Sequence, residues 1–95
     1  MERLVKSSDI KETKEDGLYI ITNNDTLYEI KEVVIKKIAL VIKENKWNQS
    51  YAAKLLEVDQ PKISQIKHCK IDGFSLERLL KFAVLLGIKI SIQIK

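Results

Sequence analysis

The side chains best suited to chemistry lie between residues 60 and 68. Ile63 and Ile66 are three residues apart, a spacing that turns both toward a protein core. The polar side chains of this segment are expected to face outward: Gln60, Lys62, Ser64, Gln65, Lys67 and His68. Amides, a hydroxyl and ammonium groups hydrogen-bond polar partners and neutralise anions. The segment therefore has the chemistry of a binding surface.

Catalytic and metal-binding patterns are absent from the sequence. His68 and Cys69 are adjacent, but they are the one histidine and the one cysteine of the chain. They cannot assemble a conventional zinc site or an intramolecular disulfide framework. No Ser–His–acid set, phosphate-binding loop or dinucleotide fingerprint is present. We therefore expect no enzyme activity, no metal and no cofactor.

Size and charge narrow the class of protein further. The 95 residues suffice for one small domain, and the net charge is +4. Residues 1–28 carry a net charge of −2 and residues 29–95 a net charge of +6. A basic body of this size favours an anionic partner, most commonly nucleic acid. Because there is no signal peptide or membrane-length apolar run, we expect a cytoplasmic protein without membrane contact.

The binding segment is the second of two short predicted helices joined by a tight break. Asn48 can cap the first helix, over residues 49–56, and the second begins near residue 60 with Pro61 in its first turn. Asp59 or Gln60 caps the second helix. Ala53 supplies a small residue where the helices cross. This is the helix-turn-helix arrangement, whose second helix enters the DNA major groove. An ordinary helical hairpin with a solvated face is the less favoured interpretation.

The flanking sequence predicts the elements that position this motif. A helix begins after Thr26, which has capping-box spacing to Glu29, and ends near residues 45–46, with Lys37 among its water-facing residues. Ser75 caps a further helix that stops at Gly87. Residues 18–22 are β-prone, and the alternation of isoleucine with polar residues over 88–94 predicts a strand.

Residues 49–66, with the sequence QSYAAKLLEVDQPKISQI, resemble the helix-turn-helix of the Cro/C1 repressor (XRE) superfamily. The longer stretch 47–94 resembles its HigA-like antitoxin and transcriptional regulator subgroup. The resemblance implies a mainly α, lambda-repressor-like bundle of four to five helices with a C-terminal strand. One departure is Glu57, because the family usually has glycine at this turn position, where φ > 0 can be required.

The resemblance also implies roles for individual residues. Gln49, with Asn48 beside it, would contact a phosphate, and Gln60 and Gln65 would face base edges, where glutamine is suited to reading adenine. Pro61 would offer at most an apolar contact to a base. The full predicted DNA-binding set is Asn48, Gln49, Gln60, Pro61, Lys62, Ser64, Gln65, Lys67, His68 and Lys70. Some of these lysines are expected to be solvated surface charges only.

The sequence divides into an acidic arm and a DNA-binding domain. The arm covers residues 1–28, weakly ordered or with a short strand at 18–22, and the domain covers 29–95, with its motif at about 48–68. The strand 88–94 cannot stay unpaired in water without inviting association. It could pair with residues 18–22 or with its own copy, and we expect a homodimer. The interface residues of that dimer would be Ile88, Ile90, Ile92 and Ile94.

These features predict a homodimeric repressor that binds a palindromic operator in double-stranded DNA. The resemblance implies an antitoxin that autoregulates its operon and neutralises a RelE/HigB-like mRNA endonuclease, with the acidic arm as the candidate toxin contact. Two alternatives remain at this stage. One is a stand-alone or phage-type regulator without a toxin, and the other is a protein-interaction module that has lost DNA binding.

Overall fold

A computed structural model describes residues 11–12, 17–22 and 27–94 of the chain, with side chains for 27–91. It contains a helical bundle and a small sheet. The helices are α1 (Leu27–Glu44), α2 (Gln49–Leu56), α3 (Gln60–Lys67) and α4 (Leu76–Leu85), with a 3₁₀ turn at Ile71–Gly73. The strands are β1 (Lys11–Glu12), β2 (Gly17–Thr22) and β3 (Lys89–Ile94). The mainly α helix-turn-helix bundle with a C-terminal strand is thus confirmed.

Helix α1 is the spine of the core. Its apolar residues recur every three or four positions, so a single face is buried against α3, α4 and the 3₁₀ turn. Val34, Ile35 and Ile38 on this face are fully buried. The predicted end of the helix is confirmed, while its predicted cap Thr26 lies outside the described residues.

One residue of α1 departs from the predicted pattern. We expected Lys37 to face water, but its residue exposure is only 5%. It stands beside Ile38 at the edge of the apolar stripe, where a lysine can bury its alkyl stem. The periodicity therefore predicted the centre of the buried face correctly and its width too narrowly.

The sheet joins the two ends of the described chain. Strand order is β1-β2-β3, with β1 antiparallel to β2 and β2 parallel to β3. In register, Gly17 lies opposite Lys89, Ile20 opposite Ile92 and Thr22 opposite Ile94. Of the two pairings left open by the sequence, the structure therefore has the one within the chain. The self-pairing of this strand that we expected in a dimer would have to use the other edge of β3, because β2 occupies the first.

Helix α4 and the turn after it connect the bundle to the sheet. Ser75 caps α4 as predicted, since its Oγ accepts a hydrogen bond from the Arg78 N–H at 3.1 Å. The helix ends at Leu85, and the predicted stop residue Gly87, two positions later, has φ +76°, a conformation that favours glycine. Phe82 is buried edge-on to Phe74, with ring centroids 5.7 Å apart, and this contact ties α4 to the loop after the 3₁₀ turn.

Candidate nucleic-acid interface

The site is built around α3, which is held to the protein by a narrow apolar edge. Ile63 and Ile66 are its two buried residues, and both have no exposed surface. They pack into the core that α1 and α2 share with α3. The predicted inward pair is confirmed, and the other positions of α3 are exposed or only partly buried.

The turn between α2 and α3 has the geometry that the motif requires. Glu57 lies in the left-handed region, with φ 61° and ψ 43°, as predicted for the usual glycine position. Its N–H lies 3.3 Å from the Lys54 carbonyl, and the Val58 N–H donates to the Ala53 carbonyl at 3.0 Å. These bonds close the end of α2, so the non-glycine residue has not altered the turn.

Polar caps fix where both motif helices begin. The Asn48 side-chain oxygen accepts a hydrogen bond from the Tyr51 N–H at 2.8 Å at the start of α2. Asp59 rather than Gln60 caps α3, because its Oδ1 accepts from the Lys62 N–H at 3.2 Å. Pro61 occupies the first turn, where a missing N–H leaves no helical bond unmade. The exposed Asn48 amide also has an NH₂ group suited to an anion.

The structure brings the predicted DNA-binding residues onto α3 and the adjoining ends of its neighbours, but it exposes them unequally. The exposed members are Asn48, Gln60, Pro61, Lys67, His68 and Lys70. The partly buried members are Gln49, Lys62, Ser64 and Gln65. Exposure does not follow the helical period alone, since Lys67 adjoins the buried Ile66 yet is exposed, whereas Gln65 is partly buried beside the 3₁₀ turn.

His68, directly after α3, has one ring nitrogen engaged within the protein. Its Nδ1 lies 2.8 Å from the Ser64 carbonyl oxygen. A carbonyl can only accept, so Nδ1 carries the hydrogen in this contact and the neutral ring presents Nε2 as an acceptor. The bond fixes the ring orientation at the exposed end of α3.

Lys62 and Gln65 turn toward the 3₁₀ turn instead of straight outward. The Lys62 ammonium lies 5.1 Å from the centroid of the Phe74 ring, within cation–π distance. The Gln65 Oε1 atom is buried and accepts no hydrogen bond among the described residues. To read a base as predicted, the Gln65 amide must rotate away from this position.

Gly73 makes room for both of these side chains and was not singled out by sequence reasoning. A Cβ atom at this position would lie 3.1 Å from Gln65 Oε1 and 3.6 Å from Lys62 Nζ. The glycine between Asp72 and Phe74 was the available signal, but its neighbours across the fold are not visible in the sequence.

A basic groove borders this surface where α1 ends and α2 begins. It encloses about 570 Å³, and Leu40 and Trp47 contribute to its apolar lining. Four lysines complete the lining together with the α1 residues Ala39 and Ile42: Lys36, Lys43, Lys46 and Lys67. Trp47 also packs on Tyr51, at a centroid distance of 5.6 Å. Of these four lysines, the sequence predicted a DNA-binding role for Lys67 alone. The other three belong to α1 or to the turn after it, outside the two predicted motif helices.

The four isoleucines predicted for a dimer interface form a separate group at the C-terminal end. Ile88 is buried in the chain's own core, and Ile90 packs against that core. The backbone of Ile92 and Ile94 is paired with β2. These residues therefore have structural roles within one chain.

Comparison with known proteins agrees with this geometry. Residues 21–95 match the model of a family described as a helix-turn-helix domain. The match covers most of the chain, including all four helices and β3, and the protein belongs to this family of DNA-binding domains. No curated protein matches the sequence. Within the described residues, no helix is both long and apolar enough to cross a membrane.

Proposed function

We propose that this protein is a cytoplasmic, sequence-specific transcriptional repressor that has no catalytic activity. The observation that carries the proposal is α3 itself: two buried isoleucines anchor it, and its outer side presents hydrogen-bonding side chains. An α-helix fits the major groove, where each base pair has a distinct pattern of donors and acceptors. Gln60, exposed in the first turn of α3, is the leading candidate for base readout.

The proposed active form is a homodimer. β3 is the last strand of the sheet as described, so its outer edge can receive a second β3 around a two-fold axis. Beside it, Leu80, Val84 and Ile90 line an apolar groove of about 330 Å³, and Val84 is 74% exposed. A second copy would cover this groove. The mass of the protein in solution tests this, since a monomer at all concentrations would contradict it.

The finer proposal is an antitoxin that represses its own operon. It rests on the resemblance of residues 47–94 to HigA-like antitoxins, and the partner would be a RelE/HigB-like mRNA endonuclease. The net negative charge of residues 1–28 suits a basic toxin. Co-expression with the adjacent gene tests this proposal: the protein should relieve growth arrest caused by that gene product. If the product of the adjacent gene is harmless or unrelated to such a toxin, the protein would instead be a stand-alone repressor.

DNA binding is tested by titrating labelled duplexes and following fluorescence anisotropy. We expect the DNA upstream of the protein's own gene to bind more tightly than a scrambled duplex, with affinity that falls as salt rises. Gln60→Ala should lose about 1–3 kcal/mol at particular base pairs and little on scrambled DNA. Equal, salt-insensitive binding of both duplexes would refute sequence-specific recognition.

A further inference from the structure

The lysine shoulder is the group Lys43, Lys46 and Lys67 on the rim of the basic groove described above. All three are exposed, and no described carboxylate lines the groove. None of the three forms an ion pair with another described side chain. The Nζ atom of the fourth lysine, Lys36, lies 3.8 Å from Glu32 Oε2, so this lysine is less available to an anionic partner. Among the described residues, these three lysines therefore gather positive charge without a carboxylate partner around an apolar floor.

Backbone hydrogen bonds hold the shoulder in place. Lys46 has φ 57°, a conformation that lysine rarely adopts. The Lys46 N–H donates to the Lys43 carbonyl at 3.0 Å, and the Trp47 N–H lies 3.3 Å from the Ile42 carbonyl. This closed turn ends α1 and places Lys46 and Trp47 immediately before Asn48, the cap of α2.

The shoulder is continuous with the proposed base-reading surface. Lys67 belongs to the last turn of α3, while Lys46 precedes the start of α2. A duplex that receives α3 in its major groove carries a sugar–phosphate backbone along each side of that groove. One backbone would pass the side of α3 on which Lys67 and the start of α2 lie.

We propose that the lysine shoulder binds the sugar–phosphate backbone that flanks the major groove occupied by α3. The phosphates would meet the three ammonium groups, and the deoxyribose rings would contact the apolar side of Trp47 and the half-exposed Tyr51. The inference rests on the proposed function and extends the interface to α1. It assigns Lys43 and Lys46 the task of positioning the duplex without reading its sequence.

The test is the salt dependence of DNA binding by the full chain. In the double variant Lys43→Gln/Lys46→Gln, the negative slope of log affinity against log salt should become shallower by about 1.8, since each lost phosphate contact removes about 0.9. Affinity should fall by the same factor for operator and scrambled duplexes. The matched control is Lys31→Gln/Lys81→Gln, which removes the same charge away from the groove and should leave the slope close to that of the unchanged protein.

The outcomes separate this inference from the proposed function. If the unchanged protein prefers its operator and the shoulder variant keeps the wild-type slope, the shoulder is not a backbone contact and the repressor proposal stands. Affinity lost on the operator alone would overturn the inference in favour of base reading. If the control variant changes the slope as much as the shoulder variant does, the change reflects net charge alone and the inference is overturned. No salt-sensitive DNA binding by the unchanged protein would overturn both proposals, leaving an acidic peptide to be tried as the groove's ligand.

Discussion

Helices α3 and α4 begin in the same way but are held to the protein differently. Each starts at a residue whose side-chain oxygen caps the helix, Asp59 for α3 and Ser75 for α4. α3 buries two residues, whereas α4 buries Leu79, Phe82 and Ala83 and packs two further leucines against the core. The comparison shows how a helix can be fixed while much of its surface stays available to a partner. A small number of completely buried side chains is sufficient to hold it.

The strongest test of this comparison removes one anchor of α3. Ile63→Ala should lower the free energy of unfolding by about 2–5 kcal/mol, since it leaves a cavity under a helix that has one other anchor. Chemical denaturation measures the loss. Lys81→Ala, at an exposed position of α4, is the control and should change stability by less than about 0.5 kcal/mol. A small loss for Ile63→Ala would show that α3 is held by other contacts.

Removal of the caps is the next largest change. Asp59→Ala and Ser75→Ala should each cost about 1 kcal/mol, because each leaves a helix N–H without its partner. We expect Asp59→Ala to weaken operator preference as well, since α3 is the proposed reading helix, and Ser75→Ala to leave that preference intact. Thermal unfolding and anisotropy titrations measure the two effects.

Asp59→Asn separates the cap from its charge. Asparagine caps as well as aspartate, so this variant should keep the stability and the operator preference of the unchanged protein. If Asp59→Asn behaves like Asp59→Ala, the carboxylate charge matters and the missing cap does not explain the loss.

The smallest expected effect concerns the turn that leads into α3. Glu57→Gly should raise stability by about 0.5–1 kcal/mol, because φ 61° strains a side chain and the relief exceeds the entropy that glycine adds to the unfolded chain. Glu57→Ala retains the strain and should give no such gain in denaturation experiments. An equal gain from both variants would point to the lost negative charge.

Local signals predicted the motif well. The cap at Asn48, the break at Glu57 and the pair Ile63 and Ile66 each depend on near neighbours in the chain, and the structure has all of them. A positive φ at Glu57 could be expected because the resemblance placed a usual glycine there. Capping and helical period were therefore sufficient for the bounds of α2 and the start of α3.

The features that sequence reasoning missed depend on contacts between distant segments. The position of Gln65 against Gly73 is set by a neighbouring element, and the burial of Lys37 is not visible in the helical period. The same holds for the lysine shoulder, where residues of α1 and the turn after it meet Lys67. Charge counts detected a basic body, but a count does not say which lysines share a surface.

The parallel pairing of β2 with β3 has a consequence for the order of folding. It connects the beginning of the described chain to its end, with Gly17 opposite Lys89. Contacts of such wide sequence separation close a long loop and form slowly, whereas the α2–α3 hairpin is local. We expect the helical bundle to assemble first and the sheet to close last. During synthesis, the proposed DNA-reading helix would then be complete before β3 leaves the ribosome.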